Sequence, residues 1–203
     1  FRMMWEFGLL RDLMPELSDA IEKTGGTESM IWRYLDVLDE YDVMRRENDQ
    51  EPSNALRTAV LMTITLRTKD MEGVRNVPGG TRKAVAPILQ HLHISKGVYF
   101  SSVLILDSVR RLSQPPARGK SRFIKSRDFV DALDYNRIIA RAEGRDEAVL
   151  NQWADAYERE CEREQTDRRR NRADAQTKDV EKAETTESVE QGKDNGAVKT
   201  EEK

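Results

Sequence analysis

Apolar residues recur at spacings of three and four along most of this chain, and almost no segment alternates with period two. That pattern predicts an all-α fold. Met4, Phe7 and Leu10 share one face of a first helix, which Gly8 weakens without ending. Pro15 makes a short bend of Leu13–Leu17, and Gly25-Gly26 breaks the chain. A second helix is expected over about Glu28–Arg46, with Trp32, Leu35 and Leu38 inward and Asp36, Asp39 and Asp42 on a solvated side. Ser53 caps a third, about Asn54–Leu66, the best candidate for the buried central element. Thr81 caps a fourth that ends near His93, and Ser95 caps a fifth carrying Val98, Ser102, Ile105 and Val109. A sixth starts near Ser126 and a seventh near Asp146, the last showing Val149, Trp153, Tyr157 and Cys161. The expected architecture is an irregular helical body of about six or seven helices.

Charged residues make up 35% of the 203 and the hydrophobic set only 37%, which argues against a single core along the whole length. Beyond Arg172 the chain has no aromatic residue and too little apolar surface to offset its entropy. The expected division is a helical neck and body, 1–164, and a charged, disordered tail, 165–203. One cysteine, Cys161, excludes an internal disulfide framework and a thiolate-rich zinc site. No apolar run approaches the roughly 20 residues of a membrane span, so a cytoplasmic protein is expected. Residue 1 is Phe, and Phe1–Phe7 reads as the interior of a helix. The sequence is therefore expected to begin within a longer polypeptide.

The net charge is −3, yet Val109–Arg127 holds Arg110, Arg111, Arg118, Lys120, Arg122, Lys125 and Arg127 with no carboxylate. Pro115, Pro116 and Gly119 make its first part a loop. One sign gathered into one stretch of a mixed-sign chain suits a polyanion, and mobile Arg and Lys can follow a phosphate backbone. A solvated loop with nothing bound is the competing reading. Arg137, Arg141 and Arg145 recur every four residues and form a stripe, which could merge with the loop into one patch. Phe123 and Tyr135 lie among these cations, either to stack on bases or, as such residues more often do, to pack in the core. Arg168, Arg169, Arg170 and Arg172 form a second cluster, suited to nonspecific polyanion contact.

No nucleophile constellation is visible. Gly119-Lys120-Ser121 copies the end of a Walker loop, but Gln114 stands where the first glycine belongs. His91 and His93 point to different sides of a helix and lack further ligands, so surface or loop histidines are the reading and no metal is assigned. Val77–Lys83, with two glycines before a Thr cap, is a weak anion cradle and reads better as a plain loop.

Several segments resemble one family. Phe1-Arg2-Met3-Met4-Trp5-Glu6-Phe7-Gly8-Leu9-Leu10 with Leu13-Met14-Pro15-Glu16-Leu17 is similar to the helical neck of bacterial poly(A) polymerase I and CCA-adding tRNA nucleotidyltransferases. Pro52-Ser53-Asn54-Ala55-Leu56 resembles the next buried body helix. Tyr135-Asn136-Arg137-Ile138-Ile139-Ala140-Arg141-Ala142-Glu143 resembles the Tyr-Asp-x-Leu-Leu-x-Arg-Ala-Glu segment, with Asn136 in place of Asp. Leu150-Asn151-Gln152-Trp153 with Tyr157 is similar to the Trp-bearing helix after it. A basic stretch after that helix fits the poly(A) polymerase branch. The resemblance covers roughly residues 1–160.

It implies a C-terminal neck, body and tail without the catalytic head, and no catalytic residue transfers to this chain. The parent polypeptide would add AMP from ATP to RNA 3′ ends, in mRNA polyadenylation and decay, with Mg2+ and ATP held by the head. This portion would bind single-stranded RNA 3′ ends through the cations named above and pack against its own N-terminal catalytic domain. The alternatives are the body of a tRNA 3′-CCA nucleotidyltransferase and a non-enzymatic helical module that binds an acidic protein.

Overall fold

The computed structural model describes residues 1–51, 53–68, 77–91, 94–117 and 121–170, with the side chains of 77–79, 89–91 and 121 set aside. Every regular element among the described residues is helical, as the periodicity predicts. None of these helices is long and apolar enough to cross a membrane. The chain forms two units, Phe1–Tyr157 and Glu158–Lys203.

In the first unit, α1 (Arg2–Glu6), α2 (Leu9–Leu13) and α3 (Pro15–Lys23) lead through a 3-10 turn, Gly26–Glu28, to α4 (Ile31–Glu47) and α5 (Asn54–Thr68). Then come α6 (Val77–His91), α7 (Lys96–Asp107), α8 (Val109–Leu112), α9 (Ser121–Ile124) and α10 (Phe129–Glu143). The helical run 148–170, whose residues up to Tyr157 belong to this unit, is α11.

α5 is the central element, as expected. It packs on α3, α4, α6, α7 and α10, and buries Leu56, Ala59, Val60, Met62 and Ile64. Thr58, Thr63 and Thr65 are buried too; the first two meet the polar cost within the helix, while Thr65 Oγ1 has no hydrogen-bond partner among the described residues. Thr58 Oγ1 donates to Asn54 O (2.8 Å), and Thr63 Oγ1 to Ala59 O (3.0 Å). Ser102 of α7 donates to both Val98 O and Ala55 O, tying α7 to α5. The Ser53 and Ser95 caps form as predicted, with Leu56 N donating to Ser53 Oγ (3.3 Å) and Val98 N to Ser95 Oγ (3.4 Å). α10 buries nearly all of its inward residues and ends at Gly144, whose φ of +66° is the left-handed conformation that closes helices.

Several expectations are corrected. Gly8 does end the first helix: its φ of +76° separates α1 from α2 and turns Phe7 out to solvent, away from the buried Leu10. Pro15 does not merely bend the chain. At the first helical position its missing N–H costs nothing, and it starts α3, which buries Leu17, Ala20 and Ile21. Thr81 is not a cap but a buried residue inside α6, which already begins at Val77. Asp42 is not on a solvated side: it is buried and salt-bridged to Arg57 (2.7 Å), while Asp36 and Asp39 remain exposed. Trp5 and Trp32 meet in one cluster, centroids 5.8 Å apart.

In the second unit, 158–170 is helical and mostly exposed. Arg168 pairs with Glu164 (4.0 Å) and Arg163 with Glu160 (3.8 Å), each across one turn. Arg169 and Arg170 are exposed, and Arg172 lies outside the described residues.

Candidate nucleic-acid interface

The basic stretch is built on two short helices held by apolar anchors. Leu112 is the buried residue of α8 and leaves Arg110 and Arg111 exposed. Ile124 is the buried residue of α9 and leaves Arg122 exposed, with Lys125 and Arg127 exposed just after it. Trp153 of α11 pins the connecting loop, its Nε1–H donating to Gln114 O at 2.8 Å. Arg118 and Lys120 lie outside the described residues.

Beneath these cations is an aromatic cluster. Phe123 meets Phe129 edge-on at 5.3 Å and Trp153 at 5.7 Å, while Phe129 stacks on Tyr157 at 5.4 Å. The Arg111 guanidinium carbon sits 4.4 Å from the Phe123 centroid. This cation–π contact holds Arg111 against α9, beside Arg122, across a separation in sequence that no local periodicity signals. Among the described residues, Arg110, Arg122 and Arg127 have no carboxylate partner.

Tyr135 is a core residue, and Phe123 packs against the core. Phe123 is partly buried in the aromatic cluster. Tyr135 is buried, and its hydroxyl shares a 2.9 Å hydrogen bond with Thr63 Oγ1. Burial pushes that phenol up to about 12, partly opposed by Thr63 and Arg67. The Tyr135 ring is closed to a base.

The Arg137, Arg141 and Arg145 stripe is differently placed. Arg137 donates to Asn151 Oδ1 (3.3 Å) and lies 3.9 Å from Glu147, whose other oxygen accepts from Arg141 Nε (2.9 Å). Arg145 Nε donates to Glu143 Oε2 (2.6 Å). Stripe and loop engage α11 through Asn151 and Trp153. Side chains two residues apart on a helix diverge by about 200°, so the two groups sit on different flanks of α11. Arg141 and Arg145 are more than half exposed, and surface ion pairs of this kind are worth about 0–1 kcal/mol, so a phosphate can compete for them.

Glu143 is the electrostatic centre of the α4–α5–α10 junction. Its Oε1 accepts from Tyr34 Oη (2.7 Å) and pairs with Arg67, while Arg145 takes Oε2. Burial pushes the Glu143 carboxyl up, but the Tyr34 hydroxyl, Arg67 and Arg145 together hold it below the usual range. The same burial, with the bond to Glu143, raises the Tyr34 phenol far above its ordinary value.

Other sequence candidates fall away or lie elsewhere. The two-glycine segment is not a loop before a cap, since Gly80 and Thr81 are already inside α6. Gly119, Lys120, His93 and the side chains of Ser121 and His91 lie outside the described residues. A cleft at the α4–α5 turn is lined by Arg46, Asp49, Gln50, Glu51, Asn54 and Arg57, whose signs balance and offer a polyanion no net attraction. Among the described residues no group of three or more His, Cys, Asp or Glu is placed to hold a metal ion.

Comparison with protein-family models, with curated proteins and with solved structures finds no match to this chain.

Proposed function

We propose that this chain is the RNA-positioning body of a polynucleotide adenylyltransferase, an enzyme that adds AMP from ATP to RNA 3′ ends in mRNA polyadenylation and decay. One observation carries the reading: Arg110, Arg111, Arg122, Lys125 and Arg127 are all exposed around one aromatic-anchored turn, in a stretch that contains no carboxylate. Such a surface attracts a phosphate backbone by releasing its counterions, and it reads no base.

The chain's part is electrostatic guidance. Arg110 and Arg111 on α8 and Arg122 and Arg127 around α9 neutralise successive phosphates of a single strand, while Trp153 and Phe123 hold the turn in shape. ATP and Mg2+ belong to the catalytic head, and no described residue is assigned to either.

The test is made on the polypeptide that carries this chain, with a short RNA primer, Mg2+, and ATP or CTP. Processive addition of adenylate alone is the expected product. Addition of cytidylate followed by a single adenylate moves the chain to the tRNA 3′-CCA reading. No extension with either nucleotide overturns both.

A further inference from the structure

α6 and α7 present an exposed surface that the basic loop does not use. Lys96, Phe100 and Leu104 recur every four residues on α7 and are all exposed, so they form one line along the helix. Phe100 stays 47% exposed although its ring has two neighbours. Tyr99 meets it edge-on at 5.3 Å, and the Arg82 guanidinium carbon of α6 lies 5.3 Å from its centroid. Lys83, next to Arg82, is exposed as well.

The charge of this surface is one-sided. Arg82, Lys83 and Lys96 are set against Asp107, the only carboxylate in the sequence of either helix. Asp107 is half-buried; burial pushes its carboxyl above the usual range, with the Thr81 hydroxyl and then Arg82 pulling the other way. α8 begins two residues after α7 ends, past the buried Ser108. Eleven residues of helix rise at most roughly 16 Å, so Phe100 lies within the span of a short strand seated on the loop cations.

We propose that α7 carries a second contact for the same single-stranded RNA, in which a nucleobase stacks on Phe100 while Arg82 and Lys96 engage the flanking phosphates. An open aromatic ring beside guanidinium and ammonium groups is the arrangement that single-strand binding proteins use, because every base has a π-face. An apolar protein partner fits less well, since covering Phe100 and Leu104 would desolvate Lys96 and the Arg82 guanidinium without supplying either a new acidic partner. The inference rests on the reading that the loop holds RNA.

The experiment measures binding of a fluorescein-labelled 15-nucleotide oligo(A) to the full chain at several salt concentrations. It compares wild type with Phe100→Ala, Phe100→Trp, Arg82→Gln and the loop double variant Arg122→Gln/Arg127→Gln. Phe100→Ala is expected to weaken binding about tenfold with the salt slope unchanged, and Phe100→Trp to restore it. Arg82→Gln, which spares the ring, weakens binding and also flattens the slope. If Phe100→Ala and Arg82→Gln bind as wild type while the loop variant weakens, the α7 contact is overturned and the loop reading stands. If wild type binds no oligo(A), the loop reading fails and this contact with it.

Discussion

At the scale of single residues, Trp153 and Glu143 do the most to hold the described surface in place. Trp153 is buried and its one donor reaches Gln114 O across the basic loop. Trp153→Phe keeps most of the ring and deletes that bond. The expected outcome is a loss of about 1 kcal/mol in a urea unfolding series, together with faster proteolysis within residues 113–117. Glu143 gives a pH signature. Its pKa in the fold is depressed, so it contributes stability that is present above its unfolded pKa and lost as pH falls through the folded value. Thermal melts should show stability falling on acidification below about pH 4.3. In Glu143→Gln that part of the pH dependence should vanish. The variant should also lose about 1–3 kcal/mol at neutral pH, because Tyr34, Arg67 and Arg145 lose the carboxylate they share.

At the scale of elements, α5 carries the core and should be the least tolerant. Leu56 is fully buried, and Leu56→Ala is expected to cost about 2–5 kcal/mol by the transfer and cavity terms, read from the shift in unfolding midpoint. The long helices α4, α5 and α10 are legible in the sequence because apolar residues recur at spacings of three and four through each of them. A hydroxyl before an apolar run marked the caps at Ser53 and Ser95 but misled at Thr81, because α6 begins a turn earlier than that signal suggests. The short elements are not legible. α1 and α2 look like one helix until the positive φ at Gly8 is known, and α3 hides behind a proline that reads as a break. Asp42 was misread because periodicity places a residue on a face without saying what packs there; Arg57 of α5 lies opposite and makes its burial tolerable. On the candidate surface, the run of cations was plain in the sequence. Its anchoring was not, because Arg111 over Phe123 and Trp153 on Gln114 join residues far apart in the chain.

At the scale of the whole molecule, a chain of net charge −3 attracts a polyanion only where its cations stand without acids. The stripe of Arg137, Arg141 and Arg145 is tied to Glu147 and Glu143, whereas Arg110, Arg122 and Arg127 have no such partner among the described residues. The account therefore locates RNA affinity in the α8–α9 turn. The most direct measurement is the affinity of the chain for single-stranded RNA as a function of KCl, for wild type and for Arg110→Gln/Arg122→Gln/Arg127→Gln. Each phosphate neutralised contributes about −0.7 to the slope of log K against log salt. The account predicts a clearly negative slope that becomes shallower by about 2 in the triple variant, with no change in its melting temperature. A slope near zero in wild type, or an unchanged slope and affinity in the triple variant, would contradict it.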